Sequence, residues 1–116
     1  MIYSAPPKQS RKERRRPGGH LTETKAIVTL DDRRYVLEGP VAVLGRSQGC
    51  DCVLSDPNVS REHAELRRGP TGDWQIVDLG STNGVKVNDR LVDRSRLSPG
   101  DEVALGTTRF TFDIEQ

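Results

Sequence analysis

The sequence predicts an all-β sandwich of two twisted sheets, and three observations carry that expectation. Short apolar runs recur at close spacing, separated by turn residues such as Asp31-Asp32, Gly69-Pro70-Thr71-Gly72, Asn88-Asp89 and Ser98-Pro99-Gly100-Asp101. Within the runs inward and outward positions alternate, as in His63-Ala64-Glu65-Leu66-Arg67 and Trp74-Gln75-Ile76-Val77-Asp78-Leu79. Nowhere does an apolar period of 3.6 residues persist for about twelve residues without a Gly or Pro interrupting it.

Taken in order, residues 1–24 read as a disordered basic tail or linker. They place Lys8, Arg11, Lys12, Arg14, Arg15 and Arg16 against Glu13 and Glu23, with Pro6, Pro7, Pro17, Gly18 and Gly19 around the run. The domain is expected over 25–116. Ala26–Leu30 and Arg33–Leu37 form a hairpin about Asp31-Asp32, and Val41–Leu44 is a third strand that stops at Gly45. Cys52–Leu54 is a short fourth, ended by Ser55-Asp56-Pro57-Asn58, and the runs from His63 and Trp74 follow. Val85–Val87, Arg90-Leu91, Glu102–Leu105 and Thr108–Ile114 complete the strands, while Leu97 leads into a turn.

A chain of 116 residues has room for one such domain and a single small core. The net charge of +1 is unevenly spread, since the tail is basic and the body is near neutral. A near-neutral body argues against a nucleic-acid module that works by broad phosphate neutralisation. The Arg11–Arg16 run leaves one alternative, a nucleic-acid or acidic-surface binder driven by the tail. Cys50 and Cys52 stand too close along an extended stretch for an easy mutual disulfide, and a lone C-x-C is weak as a metal site. They read as small buried hydrophobes of a reducing compartment. No apolar run reaches the ~18 residues of a membrane span. The chain is expected to be cytoplasmic, with room left for membrane attachment through a segment upstream.

Chemistry concentrates at three breaks between strands: Gly45-Arg46, Ser60-Arg61-Glu62-His63 and Gly80-Ser81-Thr82-Asn83-Gly84. Together they offer two guanidinium groups, three hydroxyls and a carboxamide, with Glu62 the one acidic side chain. Such loops suit an anion that must also be oriented, and a phosphorylated side chain is the natural candidate. Arg46 leaves a rigid strand end and can fork onto two phosphate oxygens, although alone it would also read as a surface ion pair. Ser60 and Arg61 add a hydroxyl and a charge, and Thr82 adds a hydroxyl. Asn83 carries both a donor and an acceptor for a peptide backbone. Taken by itself, the Gly80–Gly84 loop would equally be an ordinary Asn-Gly hairpin turn. His63 invites a hydrolase triad with Ser60, but no nucleophile-elbow glycines surround Ser60. The better reading is a buried His63 that hydrogen-bonds loop backbone. Zinc on Cys50, Cys52 and His63 would lack a fourth ligand, and a Walker-type phosphate loop is missing its Gly-Lys-Ser/Thr.

In order and spacing, Leu44-Gly45-Arg46, Val59-Ser60-Arg61-Glu62-His63-Ala64 and Asp78-Leu79-Gly80-Ser81-Thr82-Asn83-Gly84 resemble the motifs of the forkhead-associated (FHA) domain. Val85-Lys86-Val87-Asn88 and Leu97-x-x-Gly100-Asp101-x-Val103-x-Leu105-Gly106 continue the likeness, which covers about residues 25–115. The resemblance implies a sandwich of roughly eleven strands with recognition loops at one end. It implies phosphothreonine-peptide binding, no catalysis, and no cofactor or metal. Carried over by position, Arg46 and Ser60 are the main phosphate ligands. Arg61, Ser81 and Thr82 belong to the same phosphothreonine-binding group, and Asn83 holds the ligand backbone just after the phosphothreonine. Gly45, His63, Gly80 and Gly84 support the loops, and Asn58 lies where the side chain three past the phosphothreonine is read. The style of the sequence is similar to actinobacterial members of Ser/Thr kinase signalling. The expected partners are therefore phosphothreonine proteins, either such kinases or their substrates, met by a monomer without nucleic acid. Some members of that kind bind their own phosphorylated N-terminal threonine, which makes Thr22 and Thr24 candidate phosphosites.

Overall fold

The computed structural model describes residues 24–115, which form eleven strands in two sheets. In chain order these are β1 Lys25–Leu30, β2 Arg33–Leu37, β3 Val41–Gly45, β4 Cys52–Val53 and β5 Ala64–Arg68. They continue as β6 Trp74–Asp78, β7 Val85–Val87, β8 Arg90–Val92, β9 Arg94–Leu97, β10 Glu102–Leu105 and β11 Thr108–Glu115. One sheet runs β9-β6-β5-β3-β4 and the other β2-β1-β11-β10-β7-β8. All pairings are antiparallel except β3 with β4, where Leu44 stands opposite Cys52. Among the described residues no helix is long and apolar enough to cross a membrane.

The alternation read from the sequence sets what each strand buries. Leu66 and Ile76 come from the five-stranded sheet, and Val28, Val103, Phe110 and Phe112 from the six-stranded one; all are buried in one cluster between the layers. Trp74 is fully buried beside them, and its indole N–H donates to the Thr24 hydroxyl at 3.0 Å. The Asn88-Asp89 turn between β7 and β8 has φ of 50° and 70°, the double left-handed geometry that two-residue hairpins prefer.

Two details differ from the sequence reading. Arg94–Leu97 is a full strand paired with β6, whereas the sequence reading had Leu97 merely entering a turn. Its Arg94 and Arg96 are exposed and mask the alternation that ends in buried Leu97. Thr24, counted with the tail, is 4% exposed, and its hydroxyl donates to the Gly72 carbonyl at 2.7 Å. Its own carbonyl accepts from Arg68 at 2.8 Å. The rest of the tail, Thr22 included, lies outside the described residues.

Candidate functional site

The loops that follow β3, β4 and β6 meet at one end of the sandwich because main-chain hydrogen bonds stitch them together. Arg46 N–H donates to the Ser60 carbonyl at 3.0 Å and Ser47 N–H to the Arg61 carbonyl at 3.1 Å. Gly45 makes this possible. A Cβ there would lie 2.1 Å from the Arg61 carbonyl oxygen, so no other residue lets the two loops approach so closely. Across the other side, Thr82 N–H donates to the Ser60 Oγ at 3.1 Å, and Asn83 Nδ2 to the Asn58 carbonyl at 2.7 Å.

His63 sits beneath this junction, fully buried. The Ser60 N–H donates to its Nδ1 at 3.0 Å, so that nitrogen must carry a lone pair. The proton is then on Nε2, which donates to the Gly84 carbonyl at 2.7 Å. One neutral imidazole thereby ties the Ser60 loop to the Gly80–Gly84 loop. Both ring nitrogens are committed to main chain, and neither faces the Ser60 hydroxyl as a base would.

The resulting cleft, about 560 Å³, is lined by Arg46, Asn58, Ser60, Arg61, Thr82 and Asn83, with Pro57 and Val59 beside them. These are the predicted ligand residues, brought from three loops, except Ser81. The Ser81 N–H donates to Asp78 Oδ1 at 3.0 Å, and its Oγ accepts from the Gly84 N–H at 2.9 Å, so it braces the loop from within. Gly80 and Gly84 bound that loop with φ of +75° and +80°.

The electrostatics of the cleft are one-sided. Arg46 Nε is fixed on the Val59 carbonyl at 3.0 Å, and its two terminal NH2 groups make no hydrogen bond among the described residues. Arg61 is exposed, and among the described residues neither guanidinium forms an ion pair. No carboxylate lines the cleft. The Ser60 oxygen already accepts from Thr82, which leaves its proton to donate. Two guanidinium forks, a pre-set hydroxyl and the Thr82 hydroxyl converge on one small volume, an arrangement suited to a tetrahedral dianion.

One residue that shapes the site escaped the sequence reading. Asp56, assigned only to a strand-ending turn, is 7% exposed and its carboxylate accepts from four donors. Oδ1 takes the Asn58 N–H at 2.9 Å, and Oδ2 takes the Thr107 N–H at 3.0 Å. The Thr107 and Thr108 hydroxyls add bonds of 2.6 and 2.8 Å to Oδ2. These donors, with the Thr107 hydroxyl foremost, lower its pKa to about 2. The available signal was the Asp-x-Asn spacing, in which the carboxylate caps the N–H two residues on. Cys50 also takes part: its thiol donates to the Arg61 carbonyl at 3.1 Å, and burial raises its pKa. Burial pushes the Cys52 thiol to about 11.

The FHA domain family matches residues 42–106 of the chain. The glycogen accumulation regulator GarA of Mycolicibacterium smegmatis is 44% identical over 79 residues, which are 68% of this chain and 49% of that protein. The oxoglutarate dehydrogenase inhibitor of Corynebacterium diphtheriae is 43% identical over 68% of this chain and 54% of its own length. The chain thus spans about half the length of the curated relatives it matches. A solved structure from a study of phosphothreonine-dependent FHA domain interactions superposes with a TM-score of 0.73 at 33% identity, over 79% of this chain and 98% of that one. Mycobacterium tuberculosis EmbR in complex with a low-affinity phosphopeptide gives 0.71 at 33% identity, over 77% of this chain and 24% of that one. With the match running over more than half of its length, the chain belongs to the FHA domain family.

Proposed function

We propose that this chain is a phosphothreonine-peptide-binding module, an adaptor for proteins phosphorylated by Ser/Thr kinases. The observation that carries the reading is the carboxylate-free cleft where Arg46, Arg61, Ser60 and Thr82 converge. A phosphothreonine brings about −1.5 to −2 charges and three acceptor oxygens to it. Arg46 covers it from the strand end, Arg61 adds charge, and the Ser60 and Thr82 hydroxyls donate from the facing loops. Asn83 spends one amide N–H on Asn58 and keeps its carbonyl oxygen and second N–H for a peptide backbone.

The reading is of binding without a catalytic step, and the committed ring nitrogens of His63 support it. The names of the relatives, a regulator and an inhibitor, fit a module that acts by holding another protein. The γ-methyl of threonine adds about 0.8 kcal/mol if buried, roughly a fourfold preference over serine.

Fluorescence-polarisation titration with phosphothreonine, phosphoserine and unphosphorylated versions of one peptide library tests the proposal. Binding should be confined to the phosphorylated peptides and strongest for phosphothreonine. Arg46→Ala should weaken it by about 2–4 kcal/mol, because a buried-side phosphate charge loses its partner. Unchanged affinity in that variant would overturn the site assignment.

A further inference from the structure

The loop between β6 and β7 carries one dipeptide with a chemistry of its own. Asn83 stands exposed at the cleft and directly before Gly84. The other two asparagines precede Val59 and Asp89, so this is the only Asn-Gly pair in the chain. Glycine has no Cβ to shield its amide nitrogen from the carboxamide of the residue before it. We propose that Asn83-Gly84 is a site of spontaneous deamidation that turns the cleft from anion-binding to anion-repelling, and that Ser81 restrains it. The effect on ligand, though not the modification itself, rests on the phosphopeptide reading above.

The step balances with water as its only co-reactant. The Gly84 nitrogen loses its proton and attacks Asn83 Cγ, forming the N–Cγ bond of a succinimide ring. The Cγ–Nδ2 bond breaks, and Nδ2 takes up a proton in exchange and leaves as ammonia. Water then opens the ring at either carbonyl and leaves aspartate or isoaspartate at position 83. Aspartate would set a carboxylate oxygen against the Asn58 carbonyl, to which the amide donates at 2.7 Å. It would also add a negative charge to a lining that holds no carboxylate, facing a phosphate dianion. Isoaspartate adds the same charge and a longer main chain, which draws the Gly84 carbonyl off His63 Nε2.

The folded loop opposes the step at both reacting groups. The Gly84 N–H donates to Ser81 Oγ at 2.9 Å, which keeps the proton on the nitrogen and the peptide plane in place. The Asn83 Nδ2 bond to Asn58 ties the carboxamide to a different loop. The His63 ring holds the far side of Gly84, through its carbonyl, at 2.7 Å. Of these three restraints, only the Ser81 hydroxyl engages the attacking nitrogen itself, so its loss frees the step most directly. The one predicted ligand residue outside the cleft lining thus gains a role suited to where its bonds run.

The test ages the whole chain at mildly alkaline pH and follows each asparagine by peptide-mapping mass spectrometry. Conversion at Asn83 should outpace that at Asn58 and Asn88. Ser81→Ala should speed it by about fivefold, and Ser81→Thr, which keeps a hydroxyl, should restore the slow rate. Unchanged rates at Asn58 and Asn88 in these variants show that the fold is intact. Anion exchange separates the converted fraction by its added charge, and that fraction should bind a phosphothreonine peptide about tenfold more weakly. Asn83→Asp should bind more weakly than Asn83→Ala, with the gap closing at high salt. Conversion at Asn83 no faster than at Asn58 and Asn88, or equal in the wild type and Ser81→Ala, would overturn the inference. A converted fraction that binds as tightly as fresh protein would also overturn it and leave the phosphopeptide reading standing. Failure of the fresh wild type to bind any phosphothreonine peptide would overturn that reading, while the mass change would still decide the modification.

Discussion

His63 and Asp56 are the two buried polar side chains that hold the recognition loops, and they do so in opposite charge states. The histidine works only as a neutral ring, because Nδ1 must accept from Ser60 while Nε2 donates to Gly84. The aspartate works only as an anion, because all four of its partners are donors. His63 ties the Ser60 loop to the Gly80–Gly84 loop, and Asp56 ties the turn at Asn58 to Thr107. The contrast teaches that shape at this end of the sandwich is set from below, by buried groups that do not themselves line the cleft. It also shows two ways of satisfying buried loop backbone without secondary structure.

The largest expected effect comes from removing the histidine. His63→Ala leaves the Ser60 N–H and the Gly84 carbonyl without partners and opens a cavity, which should cost about 3–5 kcal/mol of stability. Urea denaturation measures it, and a loss below about 1 kcal/mol would mean that the ring is not a brace. Asp56→Asn should cost less, about 1–3 kcal/mol. The hydroxyls of Thr107 and Thr108 can turn to accept from the new amide, but a backbone N–H cannot. Whichever way the amide is set, its NH2 faces either the Asn58 or the Thr107 N–H. A larger loss here than in His63→Ala would reverse the ranking of the two braces.

The smallest effect separates them by pH. The Asp56 pKa is depressed in the folded state, to about 2 from an ordinary 3.8. Its contribution to stability is therefore complete above about 4 and is lost as pH falls through about 2. Denaturation midpoints should drop more steeply for the wild type than for Asp56→Asn across that window. Parallel curves would show that the carboxylate is not the anionic anchor described.

Much of this was legible in the sequence, for identifiable reasons. The strands announced themselves because each buries one face, so Ala64/Leu66 and Trp74/Ile76 alternate with polar neighbours. The residues that line the cleft stood out because arginine, hydroxyl and amide side chains sat at strand ends, where a fold has no packing use for them. Strand Arg94–Leu97 was hidden, since an edge strand needs little apolar content and this one carries two exposed arginines. Asp56 was hidden because a turn aspartate looks the same whether it faces water or Thr107, 51 residues away. Ser81 was grouped with the ligands through the family resemblance, while its hydrogen bonds run into its own loop.

The seat of Thr24 gives the molecule an optical gauge. Trp74 is the sole tryptophan of the chain, and its indole N–H rests on the Thr24 hydroxyl. A kinase cannot reach that hydroxyl while it is shared between Trp74 and the Gly72 carbonyl. Any event that lifts residue 24 from its place, such as the pull of a partner on the preceding segment, strips the indole of its acceptor. Intrinsic emission therefore reports directly whether the start of the domain is seated, with no label attached.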